Sequence, residues 1–594
     1  MSGELRPSVP SPTAEALRTA FAKALREGGA LNAIEQSFID QAADDYAGDE
    51  TPELDMAAMA ALLADAWRWA QARGVGDAPN VLVQPVRATG GLSGAYDALW
   101  IVQDDRPFLV DSVMGELADA GVSVRALFHP VLAREAARES LIVIVVDPLP
   151  SERREVLKAQ VEQALADVHA AVGDFDAMSD LMARSIAHLE ACPGGIDPEV
   201  VAENLAFLRW LNDEHFVFLG ARDYDYPRTP DGGYAAEAPL DQATAGVGVL
   251  RDPTRTVLRR TSEPAVLTAQ MKRQMDLSEP VTVAKANLRS RVHRRAYMDY
   301  VGVKRYGDDG RPSGETRFVG LFTAEAYDRT ASDVPLIRRK VANALTRAAK
   351  VPGSHNEKRL KNILENYPRD ELFQITEDEL LTSALGILHL YDRPRIKTFT
   401  RLDPFDRFVS VLAFVPRERF EAAVRERIGR LLARAWGGRL SAWYPQLSDA
   451  PLVRIHYIIG VTPGDHPTPD PVALEAEITE AGRSWIDRFE SALRAAHIDD
   501  SQIGALSLKW SDAFGAGYRD RYDATEAVAD LQEIDRLNAS GTAGSGEPVA
   551  VRAFRSAGDT PLQFRFKLYH RGAAVPLSDV LPILADMGLK TLEE

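Results

Sequence analysis

The sequence contains a single cysteine, Cys192, among 594 residues. One cysteine excludes internal disulfides and cysteine-rich zinc or iron–sulfur sites, and its neighbours at 193–195 offer no base that would activate it as a nucleophile. Long apolar runs are also scarce, because the longest, Leu141 to Val146, suits a strand and is far too short for a membrane span. No basic segment precedes an apolar run near Met1, so we expect a soluble, cytoplasmic protein.

Positive charge is in deficit. Acidic residues outnumber basic ones 87 to 69, which gives a formal net charge of -18. Because nucleic acids are polyanions, this balance argues against wholesale nucleic-acid binding and favours a protein that handles small molecules. The one dense basic run consists of Arg289, Arg291, Arg294 and Arg295 around His293. We expect it to pair with acidic surfaces of other domains or to bind a small anion, rather than to bind nucleic acid.

Motifs for nucleotide binding and metal-dependent hydrolysis are missing as well. The sequence has no Walker A, HExxH or GxSxG pattern. Gly246 and Gly248 lack the third glycine of a dinucleotide-binding fingerprint, because Arg251 stands in its place. No catalytic, cofactor-binding or metal-binding residue can therefore be assigned in this chain.

Two isolated pairs of charged or titratable residues favour structural roles. Glu214 and His215 could form a general-base pair, but they lie between an amphipathic stretch and a strand that looks buried. Asp403 and Asp406 flank Pro404-Phe405, which is typical of a turn, and two carboxylates alone are a weak cation site. A hydrolase using Glu214 and His215 is the least favoured reading.

The residue pattern alternates between helical and mixed segments. We expect a helical N-terminal segment at 1–76, a first α+β domain at 77–192, a β-rich domain at 193–330, a helical segment at 331–393, a second α+β domain at 394–463, a helical segment and linker at 464–547, and the start of a third α+β domain at 548–594.

The first α+β domain has the clearest order of elements. We expect strands at 95–104, 122–131 and 140–146, with one helix starting near Pro107 and another at 151–171. Strand, helix, strand, strand, helix is most of a ferredoxin-like βαββαβ sandwich. The third domain begins in a similar way, and a new strand is expected at Leu589. Since a terminal strand needs partners, we expect Glu594 to mark where a longer protein was cut.

The start of the first predicted helix is the candidate binding site. The loop at 104–107 precedes a helix N-terminus, whose free amides and positive dipole could hold a carboxylate. Two residues of the first turn could hydrogen-bond an ammonium or hydroxyl group. The candidate effector-binding residues are Asp104, Arg106, Asp111 and Ser112. The alternative is that Asp104 or Asp105 only caps the helix.

Five segments carry a family resemblance, at 106–131, 207–220, 365–373, 403–408 and 439–444. They include Arg-Pro-Phe-Leu-Val-Asp-Ser-Val, Phe-Leu-Arg-Trp-Leu-Asn-Asp-Glu-His-Phe-Val-Phe-Leu-Gly, Glu-Asn-Tyr-Pro-Arg-Asp-Glu-Leu-Phe, Asp-Pro-Phe-Asp-Arg-Phe and Arg-Leu-Ser-Ala-Trp-Tyr. In these segments the sequence resembles the N-terminal, ACT-domain region of the large bacterial NAD-dependent glutamate dehydrogenases.

That resemblance implies an α+β, multidomain fold, in which ferredoxin-like ACT-type βαββαβ modules are separated by helical segments and one β-rich domain. Members of the family convert L-glutamate to 2-oxoglutarate with NAD in a later domain, so this chain alone is expected to be inactive and to bind no cofactor. The implied partners are an amino-acid effector, the catalytic domain of the same polypeptide and further copies in a homo-oligomer, with no nucleic acid or membrane. The alternative is a stand-alone ACT-type amino-acid-sensing protein without enzyme activity.

Overall fold

The computed structural model describes residues 12–25, 33–45, 56–74, 76–86, 96–134, 137–191, 196–226, 228–229, 233, 240–241, 246–258, 269–276, 279–348, 354–447, 450–539, 549–555, 560, 564–572 and 575–591. The chain divides into two compact units: Met1–His389 with Leu402–Arg407 and Thr462–Gly464, and Leu390–Arg401 with Phe408–Val461 and Asp465–Glu594. No helix among these described ranges is long and apolar enough to cross a membrane.

Helices occur along the whole described chain. They are α1 (Pro12–Leu25), α2 (Ala33–Asp44), α3 (Met56–Ala70), α4 (Leu109–Asp119), α5 (Ser151–Gly173), α6 (Phe175–Glu190), α7 (Pro198–Trp210), α8 (Ala269–Asp276), α9 (Ala324–Asp328), α10 (Ile337–Ala348), α11 (His355–Glu365), α12 (Arg369–Gln374), α13 (Glu377–Asp392), α14 (Ala422–Ala435), α15 (Pro471–Ala481), α16 (Trp485–Ala495), α17 (Asp500–Trp510), α18 (Ala516–Arg521), α19 (Ala524–Ala539) and α20 (Leu577–Asp586).

The strands within the described ranges form four separate sheets. They are β1 (Asn80–Pro85), β2 (Asp97–Asp104), β3 (Val124–Phe128), β4 (Val131–Arg134), β5 (Ala137–Val146), β6 (Phe216–Asp225), β7 (Leu240–Asp241), β8 (Val247–Gly248), β9 (Val281–Arg289), β10 (Tyr297–Tyr306), β11 (Pro312–Phe322), β12 (Lys397–Leu402), β13 (Phe408–Pro416), β14 (Arg439–Gln446), β15 (Leu452–Gly460), β16 (Val549–Phe554) and β17 (Arg565–His570). The mixture of helices and separate sheets is the α+β, multidomain fold that the sequence predicts.

The first sheet has the strand order β1-β2-β5-β3, with β4 also paired to β5, and its pairs are antiparallel. Its two central strands are buried on both faces, as their long apolar runs predict. Leu99 and Ile101 face the apolar stripes of α4 and α5, whereas Trp100 and Val102 pack with α3. The start of α4 therefore lies at one end of a sheet that is covered on both faces.

Strand β1 corrects the sequence interpretation of this domain. The residue pattern predicts its first strand only at Ala95, with Asp77 to Asn80 as a linker, but a paired strand already begins at Asn80. This strand occupies the sheet edge beside β2, the place that a strand following the second helix would take in a βαββαβ unit. Because β1 is a short edge strand bounded by Pro79 and Pro85, it lacks the long apolar run that reveals a central strand.

The second sheet, in the middle of the first unit, has the order β7-β6-β11-β10-β9, with β8 also paired to β6. The residue pattern predicts strands at 216–219, 281–283, 300–303 and 318–322, and all four lie in this sheet. Their connections place β9, β10 and β11 side by side as an antiparallel meander that joins β6. One face of this sheet carries buried charge, since the Glu315 carboxylate accepts hydrogen bonds from Tyr300 (2.6 Å) and Arg317 (2.5 Å).

Lys304, on the same strand as Tyr300, gives a pH-dependent prediction. Burial lowers the pKa of its ammonium to about 8, although the charge of Glu315 works in the opposite direction. The unfolded chain therefore binds more protons than the folded chain between pH 8 and 10.5, so the unfolding free energy should rise with pH across that window. We expect Lys304→Met to remove up to about 3 kcal/mol of this pH dependence, measured by chemical denaturation of both proteins at pH 7.5 and 10. If the unfolding free energies of the two proteins depend equally on pH, the lowered pKa of Lys304 is contradicted.

The third sheet, in the second unit, has the order β12-β13-β15-β14. This order repeats that of the first sheet, because in both the chain forms an edge strand, a central strand, a helix, the opposite edge strand and the other central strand. The residue pattern predicts strands at 395–401, 408–415, 439–444 and 452–460, and the structure has a strand in each of these ranges. Two domains of one chain therefore share one strand topology.

The last described elements are β16, β17 and α20. The two strands form an antiparallel pair, and the helix follows, which matches the first three elements of the third sheet. Apolar side chains of this segment are exposed, among them Val551, Ile583 and Met587. The strand predicted to begin at Leu589 is absent, since residues 589–591 have no strand conformation.

Candidate effector site at the start of helix α4

Asp104, the first candidate residue, is bound by its own chain. Its carboxylate accepts hydrogen bonds from the Arg73 guanidinium (3.0 Å) and the Gly76 amide (3.2 Å). Burial alone would raise the pKa of Asp104, but these two donors hold it below its usual value. Arg73 also pairs with Glu139 at 3.1 Å, and both of those side chains are buried. Asp104 therefore ties the end of α3 to the first sheet, and it does not cap α4.

Arg106 lies two residues further on, in the loop before α4. Its Nε is buried and has no hydrogen-bond partner among the described residues. His169, on α5, lies close enough for the charge of the Arg106 guanidinium to act on its imidazole. Burial, and then the charge of Arg106, lower the pKa of that imidazole. Among the four candidate residues, Arg106 is therefore the one whose N–H group has no acceptor among the described residues and is available to an effector carboxylate.

Asp111 and Ser112, in the first turn of α4, contact the β9–β10 turn (residues 290–296). The Asp111 carboxylate lies 2.9 Å from Nδ1 of His293, and the Ser112 hydroxyl accepts from the His293 amide at 3.0 Å. Phe108, the N-cap residue, has φ +71° and makes no side-chain cap, and its ring lies 5.1 Å from the His293 ring. The groups predicted to bind an effector are thus partly occupied by His293.

The basic run around His293 also binds α4. Arg291 and Arg295 pair with the buried carboxylate of Glu116, and Arg289 and Arg295 lie 3.8 and 3.4 Å from Asp119. A Cβ added to Gly115 would lie 3.1 Å from the Arg295 side chain, so a small residue is needed where this arginine crosses the helix. The expected pairing of the arginine run with an acidic surface of another domain is confirmed.

The other sequence candidates have structural roles. His215 is buried, its Nδ1 bonds the Trp210 carbonyl at 2.9 Å, and the two rings stack at 4.3 Å. Asp403 pairs with Arg407 through both carboxylate oxygens, at 2.7 and 2.8 Å, and Asp406 accepts from the Gly464 amide. Cys192 lies outside the described residues. Within the described ranges, no group of three or more metal-ligating side chains occurs.

The NAD that the family resemblance implies does not fit Gly246 and Gly248. A Cβ at Gly248 would lie 2.2 Å from the Leu219 carbonyl oxygen, and one at Gly246 would collide with the Leu250 carbonyl oxygen. These glycines are packed against their own backbone, so neither can lie against a pyrophosphate as the glycines of a dinucleotide-binding loop do. No step of NAD chemistry is assigned to these residues.

Sequence reasoning missed one charged cluster. Lys285 of β9, Asp299 of β10 and Asp370 of α12 meet at Nζ–O distances of 2.5 and 3.2 Å, and Tyr327 donates to Asp370 at 2.9 Å. The four residues are far apart in the chain and form no local motif. The one sequence signal for this cluster is that Lys285 and Asp299 are charged residues in strands whose other residues indicate burial, and a buried charge needs a partner.

Comparison with known domains identifies the class of protein. Residues 38–141, 397–486 and 548–594 match the models of the glutamate dehydrogenase ACT1, ACT2 and ACT3 domains, and residues 334–393 and 492–537 match its helical motifs 1 and 2. The three ACT matches contain β1 to β4 with the start of β5, β12 to β15, and β16 with β17, and the helical-motif matches contain α10 to α13, α17, α18 and most of α19. The chain is a multidomain α+β protein with ACT domains.

Relatives that align with most of the chain indicate which kind of ACT-domain protein it resembles. The chain is 35% identical over 542 residues to the NAD-specific glutamate dehydrogenase of Halomonas elongata, an alignment that covers 87% of the chain and 33% of the relative. It is 32% identical over 570 residues to the NAD-specific glutamate dehydrogenase of Pseudomonas aeruginosa, covering 92% and 34%, and 27% identical over 542 residues to that of Mycobacterium tuberculosis, covering 84% and 31%. The chain thus spans about a third of the length of the curated relatives it matches.

Proposed function

We propose that this chain is the regulatory and assembly region of a cytoplasmic NAD-dependent glutamate dehydrogenase. The observation that carries the proposal is the ordered series of ACT and helical-motif matches in a chain similar to NAD-specific glutamate dehydrogenases over most of its length. The parent reaction is the conversion of L-glutamate, NAD and water to 2-oxoglutarate, ammonium and NADH. A stand-alone amino-acid sensor has no comparable support, since the relatives are named as dehydrogenases.

The chain's own part in this function is regulation. We propose that an amino-acid effector binds at the start of α4, with its carboxylate on Arg106 and on the first amides of the helix, which have no side-chain cap. Asp111 and Ser112 would complete the site for the ammonium group. Binding would change activity if the effector has different affinities for two conformations of the whole enzyme. Homo-oligomer formation and contact with a catalytic domain are further expected roles of these domains.

The first test is an activity assay of the chain by itself. Because Gly246 and Gly248 cannot lie against a pyrophosphate, we expect no glutamate-dependent formation of NADH, measured by absorbance at saturating glutamate and NAD. An active glutamate dehydrogenase from any source serves as the positive control. Turnover above the rate of a heat-inactivated sample would show that the chain carries a catalytic site, and would overturn the regulatory assignment.

A further inference from the structure

The charged cluster between the middle sheet and α12 has a geometry that the proposed function does not use. Lys285 and Asp299 are direct neighbours in the β9–β10 register, and their side chains point to the same face. The Lys285 ammonium bridges Asp299 Oδ1 at 2.5 Å and Asp370 Oδ2 at 3.2 Å. Asp299 is nearly completely buried, whereas Asp370 is about one-third exposed. A single lysine therefore serves two carboxylates, one in the sheet and one on the helix.

The surroundings of Asp299 add few compensating charges. Its second oxygen accepts from the Phe322 amide at 3.3 Å, and Tyr327 of α9 donates to Asp370. Arg294 lies 5.8 Å from the Tyr327 ring and donates to the Phe322 carbonyl. On the neighbouring segment, His215 bonds Thr323 through its backbone, and its imidazole is 3.9 Å from Glu325. Arg369, next to Asp370, donates to the Arg329 carbonyl.

We propose that this cluster is a pH-sensitive latch that holds α12, in the first helical motif, more tightly against the middle sheet when Asp299 is protonated. With Asp299 neutral, Lys285 pairs with Asp370 alone. With Asp299 charged, the two carboxylates compete for the one ammonium and repel each other, which weakens the contact of the helix with the sheet.

The electrostatics of Asp299 support this direction. Burial raises the pKa of Asp299 to about 6, the charge of Asp370 adds to the rise, and Lys285 offsets only part of it. A carboxyl whose pKa is raised in the closed state stabilises that state at low pH, and this contribution is lost as the pH rises through the raised pKa. The latch therefore loosens between about pH 4 and pH 6 and is fully loosened near neutral pH.

Two other sets of contacts of α12 involve neither a carboxylate nor a histidine. The Phe373 and Phe322 rings stack with centroids 4.8 Å apart, nearly parallel. Lys340 donates to the carbonyl oxygens of Leu372, Phe373 and Ile375 and so satisfies the end of the helix. Because these contacts persist, the latch changes how often α12 opens and does not decide whether the domain folds.

The test is hydrogen exchange of the backbone amides of α12 in the intact chain at pH 5.0 and 7.5, with each rate corrected for its intrinsic pH dependence. With ordinary and raised pKa values of 3.8 and about 6, linkage predicts that the opening equilibrium increases about tenfold between these pH values. In Asp299→Asn the pH effect should disappear. Persistence of the full effect in this variant would overturn the proposal.

Two further variants keep the test decisive. His215→Gln removes the buried histidine on the neighbouring segment and should leave the tenfold effect unchanged. Loss of the effect in this variant would assign it to His215 and reject the latch. Asp370→Asn removes the competing carboxylate, so the pKa of Asp299 should fall and the pH dependence of α12 opening should shift to lower pH. This variant tests the proposal even if Asp299→Asn does not fold. An unshifted profile in Asp370→Asn would also contradict the proposal.

Discussion

Replacing Arg73 with methionine is expected to destabilise the first sheet by about 3–5 kcal/mol. The Arg73 side chain is 2% exposed and pairs with Glu139, which is also 2% exposed, and with Asp104. Methionine keeps the apolar contacts of the side chain but leaves a buried carboxylate without its partner. Hydrogen exchange of the β2 and β5 amides under native conditions measures the change as a lower free energy of opening.

The matched control for this variant is Arg125→Met. Arg125 pairs with Asp147 at 2.7 Å, but both side chains are more than a third exposed, so its loss should cost at most about 1 kcal/mol. If Arg73→Met costs no more than this control, the structural role of Asp104 is wrong and Asp104 returns as an effector-binding residue. The comparison therefore decides whether Asp104 ties the end of α3 to the sheet or is available to bind an effector.

Replacing Asp530 with alanine is expected to release the β16–β17 pair from α19. The Asp530 carboxylate is nearly fully buried and accepts from Lys567 at 2.5 Å, Tyr569 at 2.6 Å and Arg552 at 3.1 Å, and Tyr518 also donates to it. Its loss leaves the partly buried cations of Arg552 and Lys567 with Glu526 as their shared carboxylate partner. We expect a loss of about 3–5 kcal/mol in the local opening free energy, which hydrogen exchange of the amides in β16 and β17 measures.

Asp535 provides the control on the same helix. It is exposed on α19, and Asp535→Ala should change the opening free energy by less than about 0.5 kcal/mol. Equal exchange of β16 and β17 in the two variants would show that apolar contacts, and not the Asp530 network, hold the strands on α19.

The sequence predicts the buried central strands but misses the edge strand β1 of the first sheet, for a physical reason. Strands β5 and β15 carry apolar runs because both faces are covered, and such runs are visible without any partner. Strand β1 is half-buried at an edge, and its register depends on β2. A strand at Leu589 also needs a neighbour to pair with, which a local pattern cannot show. The local sequence pattern thus identifies segments that can form central strands, whereas the formation of an edge strand depends on pairing with a neighbouring strand.

In the candidate site, the local sequence likewise cannot show which partners the side chains have. The helix starting near Pro107 and the pairing of the arginine run were both predictable from local sequence and net charge. The partners of Asp104 and Asp111, however, are Arg73 and His293, which lie 31 and 182 residues away. Nothing local distinguishes a carboxylate that binds a ligand from one that binds a distant part of its own chain.

The most direct test of the regulatory account is calorimetric titration of the intact chain with each of the twenty common L-amino acids. The account predicts saturable binding of at least one of them, weakened about 10- to 100-fold in Arg106→Ala because a charge-assisted hydrogen bond is lost. The exposed control Lys158→Ala, on α5, should leave the affinity unchanged. Absence of binding by all twenty, or an affinity that Arg106→Ala does not alter, would contradict an effector site at the start of α4.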